Sequence, residues 1–445
     1  MSGSSPLSRA VARHLVRLGL AGALLAASFS ALAVPNFARQ TKQECATCHV
    51  GSFGPQLTPY GMQFKLGGYT EATGEISPVP LSAMLVAGFT STKDDLPEAP
   101  RHYRTNDNSA IGEASIFLAG KLLDNLGAFV QATWEGVSRR WAMDSMDLRY
   151  ARKTSIGGED MLLGASFNNR PTVQDPLNTT PVWSFPFTGA PEDFAPVPEA
   201  SPVIAGALDG RVFGLTGYVF TTNGFYAEAG GYRAATQRYL LDTNAITDKT
   251  DAGEKLQGTA PYWRLAYIKD RTREKSRDMY SVGIFGMNSR LRDFNSAGPS
   301  DRFEDVGVDA NYQYIGNRTH VFTASGSYIA ERQTLLDTPA EHRHLRLDQL
   351  KLTTSYHYDK TYGATLSRFD TKGSSDDIRY ANGKPDSNGW ILQFDWTPFG
   401  KADSWLEPWV NLRVGIQYTH YDKFDGTSSG ASGNNSTYLF AWTAF

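Results

Sequence analysis

The stretch of sequence that decides the fold is Trp409–Tyr418, which reads WVNLRVGIQY. Its apolar side chains stand at every second position, namely at Val410, Leu412, Val414, Ile416 and Tyr418. The polar side chains between them are Asn411, Arg413 and Gln417. A period of two residues predicts a β-strand with one apolar and one polar face. A tyrosine at the end of the apolar face is typical of the aromatic girdle of an outer-membrane barrel.

The same alternation recurs from about residue 81 to the last residue. It predicts sixteen strands, near 81–91, 110–118, 126–136, 144–153, 160–168, 211–221, 225–236, 260–268, 279–288, 305–314, 320–332, 347–358, 362–370, 388–397, 409–421 and 437–445. Bacterial single-chain barrels have an even number of strands. We therefore predict an all-β fold for residues 81–445, a porin-like, 16-stranded antiparallel transmembrane β-barrel in the lipid of the bacterial outer membrane. A soluble β-propeller or sandwich is the alternative, and no blade repeat recurs to favour it.

The connections between the predicted strands alternate in length. Those after odd-numbered strands are mostly long, and those after even-numbered strands are mostly short, such as Thr222–Gly224, Gly316–Arg318 and Asp359–Thr361. External loops and periplasmic turns alternate in this way, which puts the chain before the first strand on the periplasmic side. The long connection Arg170–Gly210 holds eight prolines. We expect it either to constrict the lumen or to cover the outer rim.

Residues 1–33 are predicted to be a signal peptide. Three arginines precede the apolar stretch Leu18–Ala27, and Ala31–Ala33 forms an A-x-A cleavage signal. A membrane anchor is the alternative, but the apolar stretch is short for a span of about 20 residues.

Residues 34–80 form a short segment of coil and short helix that contains Cys45-Ala46-Thr47-Cys48-His49. The C-x-x-C-H pattern is the attachment signature of a c-type haem, whose iron takes the histidine as an axial ligand. Both cysteines of the chain lie in this motif. A redox dithiol and a zinc site are the alternatives, but no βαβ pattern and no further nearby ligands accompany the motif. We therefore predict one covalently attached haem c held by Cys45, Cys48 and His49.

The length of the haem segment predicts where the haem lies. Fewer than about 40 residues rarely fold alone without a staple, and so short a segment cannot cover both faces of a porphyrin. We expect the barrel to complete the pocket, with the haem inside the barrel or at its periplasmic mouth.

The haem segment resembles the N-terminal cytochrome domain of the outer-membrane cytochrome–porin fusions associated with ferrous iron oxidation. The matching residues are Pro35, Phe37-Ala38-Arg39-Gln40-Thr41, the Cys45, Cys48 and His49 motif, Pro55-x-Leu57-Thr58-Pro59, Gly61 and Phe64-Lys65-Leu66-x-Gly68-Tyr69. The resemblance implies one haem joined to a barrel of about this size, and electron transfer from outside the cell. Met62 stands where members of that family commonly carry arginine.

The second axial ligand of the haem iron is open in the sequence. Met62 follows His49 by 13 residues, and a His/Met pair would raise the redox potential. The alternative is that Met62 packs against the porphyrin. The barrel portion also contains His102, His320, His357 and His420, any of which could lie in the lumen or in a loop. His342 and His344 fall in a predicted external loop, where we expect solvated side chains rather than a metal site.

The resemblance and the predicted haem together indicate an electron-transfer cytochrome–porin. In this hypothesis extracellular Fe(II), or another small reductant, passes electrons through one haem to a periplasmic carrier of cytochrome or cupredoxin type, which would make the protein an Fe(II) oxidase. Acidic side chains of the predicted external loops favour a cation; they are Asp94, Asp95, Glu98, Glu192, Asp193, Asp248, Asp251 and Glu254. The alternatives are a conduit for a different donor or acceptor, and a solute porin with a structural haem. A net charge of −3 gives no reason to expect nucleic acid.

Overall fold

The computed structural model describes residues 36–74, 79–247, 253–273, 276–336, 342–401, 403–406 and 409–445. The predicted signal peptide lies outside these residues. The N-terminal segment contains the helices α1 (Asn36–Thr41), α2 (Cys45–Cys48) and α3 (Pro59–Leu66), and α4 (Gln237–Asp242) lies in a connection of the barrel. No helix in this part of the chain is long and apolar enough to cross a bilayer.

The strands begin at Leu81. They are β1 (Leu81–Thr92), β2 (Asn108–Leu123), β3 (Leu126–Glu135), β4 (Arg140–Ile156), β5 (Glu159–Asn168), β6 (Val212–Thr221), β7 (Phe225–Ala234), β8 (Glu254–Leu256), β9 (Thr259–Arg273), β10 (Ser276–Asp293), β11 (Asp301–Tyr314), β12 (His320–Thr334), β13 (His344–Tyr358), β14 (Tyr362–Gly373), β15 (Ser387–Trp396), β16 (Asn411–Lys423) and β17 (Ser436–Ala444). All of the predicted strands are found.

The sheet closes on itself. Neighbouring strands pair antiparallel along the chain, and β1 pairs with both β2 and β17. The short strand β8 and the long strand β9 pair with successive parts of β10, so that together they form one interrupted strand. The described chain is therefore a closed barrel of sixteen strands, as predicted, and the alternatives of a propeller and a sandwich are wrong.

The barrel is apolar outside and polar inside, the reverse of a soluble protein. On β11, Val306 and Val308 are 45% and 47% exposed on the outer surface, whereas Asp305 and Gln313 are 1% and 0% exposed in the lumen. On β16, Val414 and Ile416 are likewise exposed, and Arg413 and Gln417 are buried. Such an apolar exterior is stable in contact with the hydrocarbon of a lipid bilayer. A closed barrel also leaves no strand edge with unpaired backbone groups in the bilayer. The fold is that of a bacterial outer-membrane protein.

One end of the barrel carries the aromatic girdle that the sequence predicts. Tyr358, Tyr362 and Trp396 are exposed on the outer surface and lie at paired positions of β13, β14 and β15. This is the end of the short connections 124–125, 157–158, 222–224, 315–319 and 359–361, which marks it as periplasmic. The connection 397–410 is an exception, since it is long and lies at the same end.

The N-terminal segment lies inside the barrel as a plug. Side chains from strands around the wall bond to it: Tyr218 Oη donates to Leu66 O at 2.5 Å, Gln313 Nε2 donates to Leu57 O at 2.8 Å, and Asn411 Nδ2 donates to Ser52 O at 2.9 Å. The plug in turn reaches β2 and β4, because Asn36 Nδ2 donates to Ala119 O and Tyr69 Oη donates to Asp147 Oδ2. We refer to residues 36–74 as the plug from here on.

The long connection 169–211 enters the lumen from the external side and meets the plug. Leu57 N donates to Leu177 O at 3.0 Å, and Asn178 Nδ2 donates to Pro55 O at 2.8 Å. Arg264 fastens the same loop to the wall, since it pairs with Asp175 of the loop at 3.2 Å and with Asp309 of β11 at 2.8 Å. Of the two alternatives for this connection, the constriction of the lumen is therefore found.

Candidate functional site

The Cys45–Cys48 pair lies on the single turn of α2. His49 follows in an extended conformation, with its backbone N–H donating to Cys45 O at 2.9 Å, so that its side chain leaves the helix axis. Thr58 N donates to Cys48 O at 2.9 Å, and Thr58 Oγ1 donates to Thr47 O at 2.5 Å. These bonds fasten the motif to the start of α3, where Thr58 is also the N-cap.

Gly61 sets how closely α3 approaches the motif. A Cβ atom at this position would lie 2.2 Å from Cys48 O, which is far inside van der Waals contact. Only glycine allows this helix to rest directly on the turn that carries the two thiols.

The His49 ring borders the cleft between the plug and the wall, and the backbone of Gln56 and Gly54 lies against its buried side. Burial, helped by the positive charge of Arg413, lowers the pKa of His49 to about 4. The imidazole is therefore neutral at physiological pH, and neutral imidazole is the form that ligates a metal.

The two thiols lie outside any group of zinc ligands found in the described chain. No disulfide joins Cys45 and Cys48 there. Burial, and next the negative charge of Glu71, raise the pKa of Cys48 to about 12. Within the described residues, a group of three side chains close enough to share an ion is formed by His342, Asp376 and Asp377, and it includes neither cysteine.

A cleft opens beside His49, between the plug and the wall. The plug contributes Ala46, His49, Val50, Gly51, Ser52 and Thr58 to its lining, and the barrel contributes Ile315, Arg318, Val321, His357 and Lys360. Because 315–319 and 359–361 are short turns, the cleft lies at the periplasmic end. The donor set, two thiols followed directly by a histidine whose side chain borders the cleft, fits the residues that hold a haem c.

Met62 lies elsewhere. Its side chain is 2% exposed and belongs to an apolar cluster with Leu66 of α3, Leu177 of the inserted loop, and Tyr218 and Met279 of the wall. It is not among the residues that line the cleft. The structure thus brings Cys45, Cys48 and His49 together and leaves Met62 packed against a different part of the barrel.

The remaining histidines differ in their surroundings. His102 and His344 are exposed, and the exposed His320 bonds to Tyr356 Oη at 2.7 Å. His342 pairs with Asp376 at 2.9 Å, and His420 bonds to Asn435 at 2.9 Å. His357 alone of the four named in the barrel portion is buried and lines the cleft. Tyr356 and Tyr358 point outward, so the two-residue period of the strand could have predicted that His357 points into the lumen.

The acidic residues of the predicted external loops are exposed where they are described. These are Asp94, Asp95, Glu98, Glu192, Asp193 and Glu254. Asp248 and Asp251 lie outside the described residues.

Comparison with known proteins gives similarity to solved barrels only. No family model and no curated protein matches the chain. Among solved structures, the anion-selective porin from Comamonas acidovorans is similar at 13% identity, covering 82% of this chain and 99% of that chain, with a TM-score of 0.45. OmpF of Salmonella typhi in complex with daunomycin is similar at 13% identity, 82% and 97% coverage and a TM-score of 0.46. The outer membrane channel DcaP of Acinetobacter baumannii is similar at 12% identity, 82% and 97% coverage and a TM-score of 0.47. At this identity nothing about function passes from these proteins to this chain.

Proposed function

We propose that this chain is an outer-membrane electron conduit, which holds one haem c inside its barrel and passes electrons from extracellular Fe(II) to a soluble periplasmic carrier. The observation that carries the proposal is the Cys45–His49 motif, which lies within the lumen with His49 lining a cleft between the plug and the wall. When bound, the haem supplies one-electron ferric/ferrous chemistry.

The residues of the plug would hold the group in a fixed place. Cys45 and Cys48 would anchor it through thioether bonds, and His49 would present its imidazole to the iron. The bonds of Thr58 to the motif keep the turn of α2 in shape. Ile315, Val321 and His357 of the wall line the cleft and would cover the group from the barrel side.

The filled lumen favours electron transfer over solute passage. A solute porin needs an open path, but the plug and the inserted loop meet across the lumen. Lys65 Nζ donates to Val173 O at 2.6 Å, to Asp175 O at 2.8 Å and to Asn178 Oδ1 at 2.6 Å.

The external end of the barrel suits a cationic donor. The carboxylates of Asp94, Asp95, Glu98, Glu192 and Asp193 are exposed on the external loops. Exposed carboxylates raise the local concentration of a cation and speed its encounter with the protein. Fe(II) is a donor of that charge.

The experiment is to purify the mature protein from cells that attach haem c and to mix it with Fe(II) in a stopped-flow spectrometer. We expect a coloured protein whose haem stays on the chain in a denaturing gel and becomes reduced by Fe(II). The double variant Cys45→Ser/Cys48→Ser is the matched control and should be colourless. A colourless wild-type protein, or a haem that no Fe(II) concentration reduces, would contradict the proposal.

A further inference from the structure

We propose that His357 of the barrel wall is the second axial ligand of the haem iron, so that the haem joins the plug to the wall through one histidine from each. The inference deepens the proposed function and rests on the presence of haem at Cys45, Cys48 and His49. It gives β13 of the wall a role in binding the haem, which the haem-attachment motif of the plug does not indicate.

The position of His357 follows from the period of β13. Tyr356 and Tyr358 are each 43% exposed on the outer surface, so His357 between them points into the lumen, where it is 6% exposed. It lines the same cleft as His49. The two imidazoles therefore approach one space, one from the plug and one from the wall.

The imidazole of His357 is in close van der Waals contact with the plug. A Cβ atom on Gly51 would lie 2.4 Å from His357 Cε1 and 2.5 Å from His357 Nδ1. Gly51 is thus required where the ring rests on the plug backbone. The ring of His357 lines the cleft, so that it borders the space into which His49 also projects.

The carboxylate of Asp395 lies near His357 on the wall, where Gln393 Nε2 donates to its Oδ1 atom at 3.0 Å and Arg413 Nε pairs with its Oδ2 atom at 3.5 Å. In the sheet, His357 pairs with Gly363, and Gly363 pairs with Asp395. Gly363 lacks a side chain, and its ideal Cβ position lies only 2.5 Å from Asp395 Oδ2, so the carboxylate lies over the glycine toward the histidine. Asp395 and Arg413 act electrostatically on His357 from β15 and β16.

The competing ligands are occupied or remote. Met62, which the sequence offers as a ligand, is packed in the apolar cluster with Leu66, Leu177 and Tyr218. His320, the histidine of β12 at the same end, is exposed and bonds to Tyr356 Oη. Lys360 also lines the cleft, but its Nζ pairs with Glu44 Oε1 at 2.7 Å.

The two possible ligand pairs differ in measurable ways. Two imidazoles give a six-coordinate iron whose potential is lower than that of a His/Met pair. Fe(II) can reduce a haem of lower potential where hydrolysis or chelation of Fe(III) lowers the potential of the Fe(III)/Fe(II) couple.

The test compares the full-length variants His357→Ala and Met62→Leu with the wild-type protein, all purified with haem attached. Absorption and electron paramagnetic resonance spectra report the coordination of the iron, and binding of carbon monoxide to the reduced protein reports an open site. We expect His357→Ala to lose the six-coordinate spectrum and to bind carbon monoxide on most of its haem, and added imidazole to restore the spectrum. Met62→Leu should keep the wild-type spectrum.

A further variant keeps the test decisive if His357→Ala does not assemble. His357→Met exchanges the nitrogen for a sulfur ligand, and we expect a higher midpoint potential and the spectrum of a His/Met haem. Haem-loaded His357→Ala or His357→Met with an unchanged spectrum and potential would overturn the inference, as would loss of the six-coordinate spectrum in Met62→Leu. A wild-type protein without haem would instead overturn the proposed function, so the two failures are distinguishable.

Discussion

At the scale of single residues, glycines and buried polar atoms set the fit between the plug and the wall. Gly51 adopts φ +69 and accommodates the ring of His357, and Gly61 accommodates the backbone of Cys48. The sequence predicts the thiols and His49 from their spacing alone, because that spacing is dictated by the chemistry of the group. It does not predict Gly51 as a contact of His357, because the two residues are 306 positions apart.

The first prediction concerns Gly51→Ala. The left-handed backbone should cost roughly 1–2 kcal/mol, and the overlap with His357 should cost about 1–3 kcal/mol more. Gly157→Ala is the matched control, since Gly157 has φ +65 but nothing within 4 Å of its Cβ position. Native-state proteolysis of the plug measures the loss of stability in each of the two variants. Equal effects of the two variants would show that the plug does not rest on His357.

The second prediction concerns the reactivity of Cys48 in haem-free Cys45→Ser protein, where it is the remaining thiol. Burial raises the pKa of Cys48 to about 12, and only the thiolate is nucleophilic. The thiol stays protonated below that pH, so alkylation at pH 8 should be roughly a thousand-fold slower than for an ordinary cysteine, and the rate should rise as the pH approaches 12. The same protein unfolded in urea is the control. A rate that levels off near pH 9 in the folded protein would contradict this.

At the scale of elements, the sequence predicts the strands but does not predict which segments contact one another inside the lumen. Lipid outside and a polar lumen inside impose the two-residue period on every strand, as Val306, Val308, Asp305 and Gln313 show on β11. Nothing comparable marks where the loop 169–211 goes. Its entry into the lumen depends on partners such as Lys65, which lies 108 residues before Val173.

The third prediction concerns Lys65→Met, which keeps the length of the side chain and removes the three hydrogen bonds to the inserted loop. Leaving these buried acceptors without a donor should weaken docking of the loop on the plug by about 3 kcal/mol. We expect faster cleavage of the loop by protease and a higher ion conductance in planar bilayers. Lys42→Met changes an exposed lysine of the same plug. Unchanged conductance and cleavage in Lys65→Met would show that this contact does not close the lumen.

At the scale of the whole molecule, the barrel is a self-sufficient scaffold for the plug. The register from β1 to β17 closes the sheet through backbone bonds of the wall alone. The first strand, β1, begins at Leu81. The shortness of the segment before it predicted that the barrel would surround it or cover it at the periplasmic mouth, and the plug is found inside the lumen.

The fourth prediction is that the barrel assembles without haem. Cys45→Ser/Cys48→Ser should reach the outer membrane and show the wild-type shift in gel mobility on heating, because the strand pairing does not involve the plug. Quantitative gel analysis of outer-membrane fractions measures this. Loss of the folded band in the variant, with a normal band for wild type, would show that the haem is needed for the barrel to form.

The central claim is that a haem inside a sealed barrel carries electrons across the outer membrane. The most direct measurement uses liposomes that enclose an oxidised electron carrier too large to cross the barrel and that hold the protein with its external loops outward. Fe(II) added outside should reduce the enclosed carrier with the wild-type protein and not with Cys45→Ser/Cys48→Ser. Equal rates for the two proteins, or no reduction with a haem-loaded wild type, would contradict the claim.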